Sequence, residues 1–287
     1  MVGLTGLIGN PSGYKAVMDC DLLIMLGTDF PYTKYLPEKT KTIQVDIRPE
    51  NIGNRTSVTL GIHSDIINVV RYFNEKCMPK RNEAFVKKLN REFVEWKEHN
   101  CETSDGEKDF SILHPQIVAR EISDIASDDT IFVIDNGTSA IWSTNFMNFH
   151  SDRRIIGSFN HGSMAVGLPA AIGAQLQFQE REVWALVGDG AFNMVLHDFS
   201  TAVEYDLPIK LVVMNNKELS FVKLEMEEAG LAPNYDALGV KNFDFVNFAK
   251  NIGGDGEDVR EVRNIIPAIE KAQKSKKQEC ASTGFVQ

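Results

Sequence analysis

One stretch, Val183–Glu218, limits the possible folds of this chain more than any other part of the sequence. It begins with an apolar run, Val183–Val187, that ends in Gly188-Asp189-Gly190, and a second apolar run, Ile209–Met214, ends in Asn215-Asn216. Between the two runs, apolar residues recur at helical spacing. The order strand, helix, strand is that of a βαβ unit, whose right-handed crossover makes the two strands parallel. The polar ends of both strands are therefore predicted to meet at one edge of a sheet.

Asp189 and Asn216 offer a carboxylate and an amide oxygen at that edge. Hard cations such as Mg²⁺ bind few protein oxygens and complete their shell with phosphates. The helix after Gly190 is expected to present free N–H groups toward the same place, where an anion is favoured. We therefore predict a metal–diphosphate site, although Gly-Asp-Gly alone is more typical of an ordinary turn in a doubly wound domain. The third glycine of the dinucleotide fingerprint is missing after Gly188, which argues against an NAD site.

The size and charge of the chain limit its class. With 287 residues, 43% of them hydrophobic and 24% charged, it is long enough for one large or two ordinary globular domains. A net charge of −10 and the lack of a Lys/Arg run argue against a nucleic-acid partner. The N-terminus has no basic signal-peptide segment, and runs such as Leu22–Leu26 are far short of the ~20 residues that span a bilayer. We expect a soluble, cytoplasmic protein whose membrane contact is at most peripheral.

Three segments can be distinguished along the chain. Residues 1–76 contain strand patterns that indicate part of an α/β domain, and residues 77–109 are predicted to form a linker helix that ends in a polar loop, Cys101–Asp109. Residues 110–287 are predicted to form a second domain. The predicted fold class is therefore α/β, a doubly wound parallel sheet preceded by part of another α/β domain.

Further polar or glycine-rich segments follow predicted strands. Asp46 lies near the carboxyl end of the alternating run Thr42–Ile47. There it is either an acid that holds ribose hydroxyls or a solvated acid, and both interpretations stay open. The apolar run Thr130–Ile134 leads into the loop Asp135–Thr138, which can offer N–H groups to phosphate. The glycines of Ser158–Pro169 permit close approach to the backbone. These segments are further candidates for ligand contact.

The pairing of Gly188-Asp189-Gly190 with Asn215-Asn216 resembles the signature of thiamine diphosphate (ThDP) enzymes. The resemblance implies that Mg²⁺ is held by Asp189, Asn216 and the backbone carbonyl of Glu218. Members of that family frequently have Tyr-Gly or Leu-Gly shortly after the second asparagine, and this chain has Leu219-Ser220 instead.

The segment Ser158–Pro169 closely resembles that of pyruvate oxidases in which a bulky apolar side chain forces ThDP into a bent shape. By this resemblance the bending side chain is Met164, and the carbonyl of Gly162 accepts from the aminopyrimidine. A methionine alone is more often a core residue, and His161 is either a proton-transfer group or a structural histidine. The ThDP-binding residues implied are Gly137, Thr138, Gly162, Met164, Gly188, Asp189, Gly190, Ala191 and Asn216. Catalytic or pocket roles are implied for Met164, Gly162, Val222 and Glu225.

The first 74 residues resemble the second half of the FAD-binding central domain of bacterial pyruvate oxidases. The resemblance rests on TGLIGNPSGY, LLIMLGTDFPY and IQVDIRPENIG. The FAD contacts that it implies are Gly27, Thr28, Asp29, Phe30, Asp46 and Ile47.

The whole chain thus resembles the C-terminal half of a pyruvate oxidase or a pyruvate:quinone oxidoreductase. That implies oxidative decarboxylation of pyruvate through hydroxyethyl-ThDP and FAD, giving CO₂ with acetyl phosphate from phosphate and O₂, or with acetate if a quinone accepts the electrons. It also implies a homo-oligomer, a tetramer in the family. An acetolactate synthase-like carboligase and a non-catalytic ThDP-binding remnant are the alternatives. In the family, the glutamate that activates ThDP lies on a separate N-terminal domain of a neighbouring subunit, so these 287 residues alone are expected to be inactive.

The C-terminal end departs from the family pattern. A helix is predicted around Val262–Lys274, but the following residues, KSKKQECASTGFVQ, do not predict the family's closing strand. A truncation or an altered reading frame would explain such an end.

Overall fold

The computed structural model describes residues 2–78, 82–106, 113–150, 152–275 and 279–284. The chain divides into two compact units, Met1–His99 and Asn100–Gln287. The division falls inside the segment predicted as a linker, while the predicted boundaries at 76 and 110 stay predictions. In the described part of the chain, no helix is both long and apolar enough to cross a membrane.

The first unit contains a small parallel sheet. Its elements are α1 (Pro11–Met18), β1 (Leu22–Leu26), a 3₁₀ turn (Thr33–Tyr35), β2 (Lys41–Asp46), a second 3₁₀ turn (Pro49–Asn51), β3 (Leu60–His63), α2 (Ile66–Lys76) and the start of α3 (Ala84–Gly106). The three strands pair in parallel in the order β1-β2-β3. Helix α1 starts where the sequence chemistry favours it, because Asn10 caps it by accepting from the Gly13 N–H and Pro11 fills its first turn.

The second unit is built around a six-stranded sheet. Its elements after α3 are α4 (Pro115–Ile125), β4 (Ile131–Ile134), α5 (Thr138–Phe146), β5 (Arg154–Ile156), α6 (Gly167–Gln177), β6 (Val183–Gly188), α7 (Asp189–Met194), a 3₁₀ turn (Leu196–Asp198), α8 (Phe199–Glu204), β7 (Lys210–Asn215), α9 (Ser220–Glu228), α10 (Tyr235–Leu238), α11 (Phe245–Asn251), β8 (Asp255–Val259), a 3₁₀ turn (Val262–Asn264), α12 (Ile265–Lys274) and β9 (Glu279–Gly284). All strand pairs are parallel, in the order β5-β4-β6-β7-β9-β8.

The strand order contains a topological switch point. From β4 the chain first adds β5 on one side and then returns to add β6 on the other. Neighbouring connections therefore leave the sheet in opposite directions between β4 and β6, and a crevice opens outside the carboxyl ends of these strands. The predicted fold class, α/β with a doubly wound parallel sheet, is confirmed, and its topology indicates where a ligand can bind.

The central strands are mainly apolar, as expected when helices cover both faces of a parallel sheet, although β7 begins with Lys210 and ends with Asn215. All four residues of β4 are buried, as are the first five residues of β6 and of β7. In the register of the last two strands, Gly188 lies beside Met214. Gly188-Asp189-Gly190 and Asn215-Asn216 therefore emerge at one edge, as the βαβ pattern predicts. The connecting helix is not continuous, since α7 and α8 are separated by a 3₁₀ turn.

Two local predictions are wrong. The helix α3 continues to Gly106, although a loop is predicted from Cys101; Cys101 is buried, so the helix still packs where its composition turns polar, and residues 107–109 lie outside the described part. A closing strand is present as β9, which lies between β7 and β8. Its sequence, ECASTG, carries no apolar alternation, so the two neighbouring strands decide its conformation.

Candidate cofactor site

Three glycines border open space at the switch point. A Cβ atom added to Gly137, Gly162 or Gly188 would meet no atom within 4 Å. Gly137 and Gly162 also have φ angles of +133° and +69°, which side-chain-bearing residues rarely adopt. Gly137 and Gly162 come after β4 and β5, and Gly188 is the last residue of β6, so bare backbone is open beyond three strand ends at the carboxyl edge of the sheet. A large group such as a diphosphate cofactor could approach the backbone closely here.

A fourth glycine, Gly190, is covered by apolar side chains. A Cβ atom at this position would lie 2.8 Å from Cδ2 of Leu219 and 3.6 Å from Cε of Met164. The structure thus brings Met164 next to Gly190 of the Gly-Asp-Gly turn, although Gly190 comes 26 residues later in the chain. Met164 is half-buried rather than part of the closed core. Its placement agrees with a side chain that borders the crevice.

The carboxylate of Asp189 is buried at the start of α7, and the residue is 2% exposed. Its Oδ1 accepts from the Gly190 N–H at 2.9 Å, and its Oδ2 accepts from the Lys217 N–H and from Nδ2 of Asn242, both at 2.7 Å. Burial raises the pKa of this carboxyl despite these hydrogen bonds. A carboxylate has about four acceptor positions, so one position on Oδ1 stays available for a cation.

The side chain of Asn216 has a fixed orientation. Its Nδ2 donates to Oγ of Ser220, and Ser220 donates in turn to Oε2 of Glu218 at 3.2 Å. Because a carboxylate only accepts, the hydroxyl must donate to Glu218 and accept from Asn216. The amide oxygen of Asn216 therefore faces away from Ser220, and it accepts from the Glu218 N–H at 3.3 Å.

Glu218 contributes its backbone and its side chain in different ways. The side chain forms an ion pair with Lys223 at 3.2 Å, which raises the pKa of that lysine. The backbone forms a bridge with Gly239, in which Leu219 N donates to Leu238 O and Val240 N donates to Lys217 O. Neither bridge bond uses the Glu218 carbonyl, the atom that the sequence suggests as a metal ligand.

These residues fit Mg²⁺ and a diphosphate. One carboxylate, one amide oxygen and one backbone carbonyl suit a hard cation that takes its remaining ligands from phosphate and water. In the described residues there is no group of three or more His, Cys, Asp and Glu side chains that could hold a metal ion. The proposed site differs from such a group, because only one of its three ligands is an acidic side chain and the others are an amide oxygen and a backbone carbonyl. The open space beside Gly137, Gly162 and Gly188 leaves room for the diphosphate.

Asp135 connects the loop after β4 to the segment that carries Gly162 and Met164. Its Oδ1 accepts from Ala165 N at 3.0 Å, and its Oδ2 accepts from Gly167 N at 2.7 Å. Asp135 is buried, and burial raises its pKa although several backbone N–H groups oppose the shift. Sequence reasoning gave no role to Asp135, because its partners are about 30 residues away.

The other predicted residues of this unit lie in helices or in an exposed loop. Thr138 is the first residue of α5, and Ala191 is buried in α7. Val222 and Glu225 are exposed on α9, and His161 is exposed in the loop before Met164. Their predicted roles stay predictions.

In the first unit, two predicted acids have partners close in sequence or space. Asp29 forms a two-bond ion pair with Arg55, at 2.8 and 3.0 Å, and this pair lowers the pKa of Asp29. Asp46 is buried and accepts from Arg48 N at 2.8 Å and from Nδ2 of Asn51 at 3.2 Å. The interpretation of Asp46 as a solvated acid is therefore wrong. Its carboxylate stabilises the loop after β2.

The remaining residues suggested for FAD contact lie at the same edge of the small sheet. Gly27 follows β1 with a φ of +58° and donates to Val45 O at 2.8 Å. Ile47 follows β2 and is 66% exposed. Parallel pairing of β1 and β2 thus brings together the two ends that carry the six predicted residues, which are Gly27, Thr28, Asp29, Phe30, Asp46 and Ile47.

Comparison with known proteins agrees with this arrangement. Residues 135–281 match the thiamine pyrophosphate enzyme C-terminal TPP-binding domain, and residues 1–73 match the central domain of thiamine pyrophosphate enzymes. The chain belongs to the thiamine pyrophosphate enzyme family. Thiamine pyrophosphate is another name for ThDP, so the second unit contains the ThDP-binding domain of a catalytic family.

Individual relatives carry different activities in their names. The chain is 35% identical over 272 residues to YdaP of Bacillus subtilis, whose name describes a thiamine pyrophosphate-containing protein; the match covers 94% of this chain and 46% of that protein. It is 27% identical to the acetolactate synthase large subunit of Corynebacterium glutamicum and 24% identical to pyruvate oxidase of Lactiplantibacillus plantarum, each over 95% of this chain and 45% of the relative. The chain thus spans about half the length of these relatives.

Ala165 is strained in the ThDP-binding unit, and its replacement by glycine should stabilise the protein. Its φ is +67°, a conformation that costs an alanine about 1–2 kcal/mol. Part of that gain is lost because glycine is freer in the unfolded chain. We expect Ala165→Gly to raise the free energy of unfolding by about 0.5–1 kcal/mol in urea denaturation. Ala170→Gly, within α6, should instead lower it by about 0.5–1 kcal/mol, and equal losses in both variants would contradict the assignment of strain.

Ser220 is expected to affect Mg²⁺ binding although it is not a predicted ligand. Ser220→Ala removes the acceptor that orients the amide of Asn216. We expect the Mg²⁺ concentration that supports half-maximal ThDP binding to rise by about 10-fold in calorimetric titrations, as for other residues that orient metal ligands. Ser200→Ala, whose hydroxyl donates to His197 O on the exposed side of α8, should leave that concentration unchanged. Equal Mg²⁺ requirements in both variants would contradict the orienting role.

Proposed function

We propose that this chain provides the Mg²⁺–ThDP site of a pyruvate oxidase-type enzyme. The observation that carries the proposal is the meeting of Asp189 and Asn216 beside a crevice lined by bare glycine backbone, with Met164 against the same turn. When bound, ThDP supplies a nucleophilic carbon and an electron sink for decarboxylation of a 2-keto acid. The protein residues anchor, bend and orient the cofactor.

In this proposal each residue has a separate task. The Asp189 carboxylate, the Asn216 amide oxygen and the Glu218 carbonyl hold Mg²⁺ against the diphosphate. The open backbone at Gly137 and Gly188 receives the diphosphate. Met164 supports the cofactor from below and the Gly162 carbonyl accepts from its aminopyrimidine. The ThDP residues proposed in full are Gly137, Thr138, Gly162, Met164, Gly188, Asp189, Gly190, Ala191 and Asn216, with Val222 and Glu225 at the substrate pocket.

FAD is proposed as the electron acceptor in the first unit. The edge formed by the ends of β1 and β2 supports this proposal, because ligands of parallel sheets bind outside the carboxyl ends of strands. Internal bonding of Asp46 gives it the task of shaping the loop, while exposed Ile47 is free to contact a ring. Flavin absorbance of the purified protein, and its loss on dialysis, would measure this binding. A protein that neither retains nor takes up FAD would contradict it.

Pyruvate is the proposed substrate, with phosphate and O₂, or a quinone, as the second reactant. The activity belongs to the whole protein, which we propose to be a homo-oligomer. We expect the 287-residue polypeptide by itself to bind ThDP and Mg²⁺ but to turn over no pyruvate, since the activating glutamate of related enzymes lies on another domain. Steady CO₂ release by the isolated polypeptide would contradict this expectation.

An acetolactate synthase-like carboligase is the second candidate. It is favoured by acetolactate synthases among the relatives, such as the 27% identical one of Corynebacterium glutamicum. The stretches FNHGSM and LGTDFPY favour an oxidase. Assay of the protein purified from its own cells with pyruvate would separate the two. Acetyl phosphate or acetate supports the oxidase, and acetolactate as the main product would overturn it in favour of the carboligase.

A further inference from the structure

Asn242 lies at the centre of a hydrogen-bond network that the proposed roles do not include. Its Nδ2 donates to Oδ2 of Asp189 at 2.7 Å and to Oδ1 of Asn215 at 2.6 Å. Its own oxygen accepts from Nδ2 of Asn193 at 3.0 Å. One amide thus joins two residues of α7, Asp189 directly after β6 and Asn193, to Asn215 at the end of β7.

The orientation of every amide in this network follows from the Asp189 carboxylate. A carboxylate only accepts, so Asn242 must point its NH₂ group toward Asp189. Its oxygen then faces Asn193, which must donate. The reverse orientation of Asn193 would place its oxygen against two acceptors, the Asn242 oxygen and the Lys241 carbonyl. Asn193 keeps this orientation even though its own Oδ1 is buried with no hydrogen-bond partner among the described residues.

The fold brings Asn242 to this place through the bridge between Glu218 and Gly239. The two bonds of that bridge, Leu219 N to Leu238 O and Val240 N to Lys217 O, are each 2.8 Å long. They hold the chain before Asn242 against the chain that follows Asn216. Asn242 therefore approaches Asp189 from a segment 53 residues away in sequence.

Asn242 also decides which oxygen of Asp189 is available. Oδ2 takes two donors, Asn242 and the Lys217 N–H, while Oδ1 takes one, the Gly190 N–H. The unused acceptor position is thus on Oδ1. Without Asn242 the carboxylate keeps one backbone donor on each oxygen, from Gly190 and Lys217, so its rotation is held less firmly and a second acceptor position opens on Oδ2. Asn215 also loses its link to Asp189.

We propose that Asn242 is a positioning residue of the Mg²⁺ site, which holds the Asp189 carboxylate in the rotation that directs Oδ1 toward the metal. This role rests on the proposed binding of Mg²⁺ and ThDP at Asp189. Asn242 does not need to contact the cofactor, because it acts through Asp189 and Asn215.

The experiment is a calorimetric titration of the 287-residue protein with ThDP, repeated at a series of Mg²⁺ concentrations. In Asn242→Ala, we expect the Mg²⁺ concentration for half-maximal ThDP binding to rise by about 10–100-fold, and ThDP binding to recover at saturating Mg²⁺. Asn193→Ala leaves Asn242 in place without its orienting donor and should give a smaller rise, below about 10-fold. The matched control is Asn247→Ala on α11. Its amide donates to Oδ2 of Asp244, so the Mg²⁺ requirement should stay unchanged.

The outcomes separate the positioning role from a structural one. Loss of ThDP binding that no Mg²⁺ concentration restores, together with a lowered melting temperature of the metal-free protein, would overturn the proposal. An unchanged Mg²⁺ requirement in Asn242→Ala would overturn it as well. If Asn242→Ala does not fold, a folded Asn193→Ala with the wild-type Mg²⁺ requirement would also count against it. Absence of Mg²⁺-dependent ThDP binding in the wild type is a different result, which would overturn the proposed function itself.

Discussion

Replacement of Asp189 by alanine is expected to weaken Mg²⁺-dependent ThDP binding by at least about 100-fold, the upper end of what loss of an outer-sphere partner costs a metal site. The variant removes the buried carboxylate that we assign to the metal. The same change leaves the Lys217 N–H without the acceptor it has in the wild type, while Nδ2 of Asn242 keeps its bond to Asn215. Calorimetric titration with ThDP in the presence and absence of Mg²⁺ measures the effect.

The matched control is Asp258→Ala. Asp258 lies on β8 of the same sheet, and its side chain is 40% exposed in an ion pair with Arg260. Exposed pairs of this kind contribute little, so affinity for ThDP and stability should both stay close to the wild type. Thermal unfolding of metal-free Asp189→Ala shows whether the variant is folded before binding is compared. A folded Asp189→Ala protein with wild-type affinity would remove Asp189 from the metal site.

Replacement of Phe192 by alanine is expected to lower the free energy of unfolding by about 3–5 kcal/mol, the usual range for a buried phenylalanine. Phe192 lies in α7, two residues after Gly190, and is 1% exposed. Its ring centroid is 5.1 Å from that of Phe245 and 6.4 Å from that of Phe199. The cavity left behind would separate α7 from α8 and α11. Denaturant unfolding monitored by tryptophan fluorescence, to which buried Trp184 contributes, measures the loss.

Phe243→Ala is the control for the size of the side chain. Phe243 is 64% exposed, two residues before Phe245, and its loss should change the free energy of unfolding by at most about 0.5 kcal/mol. Similar losses in the two variants would contradict the view that Phe192 anchors the helix that begins at the cofactor site.

The site could be predicted in part, because the proposed metal ligands Asp189 and Asn216 lie at strand ends that a short-range pattern reveals. Apolar runs that end in Gly-Asp-Gly and Asn-Asn predicted one βαβ unit, and the register of β6 and β7 confirms that both ends share an edge. The residues that hold these ligands were not predictable in the same way. Asn242 bonds Asp189 across 53 residues, and Asp135 bonds Ala165 and Gly167 across about 30.

The strands could be predicted from the sequence where they are apolar, and the prediction failed for a strand that is polar. The strands β1, β2, β4, β6 and β7 follow continuous or alternating apolar runs. By contrast, β9 has a polar sequence and takes its conformation from pairing with β7 and β8. The length of α3 was underestimated for a related reason, since burial of Cys101 is a property of packing and not of local composition.

The sequence by itself determined the class of the fold, the ThDP-enzyme family pattern and the identity of Asp189 and Asn216 as paired oxygen donors. Periodicity and spacing carry this information because they depend on neighbours in the chain. Only the tertiary structure decided how these donors are oriented. Their hydrogen-bond partners come from distant segments that the sheet and the bridge at Glu218 bring together. Among those partners are Ser220, which accepts from the amide of Asn216, and Asn242, which donates to the carboxylate of Asp189.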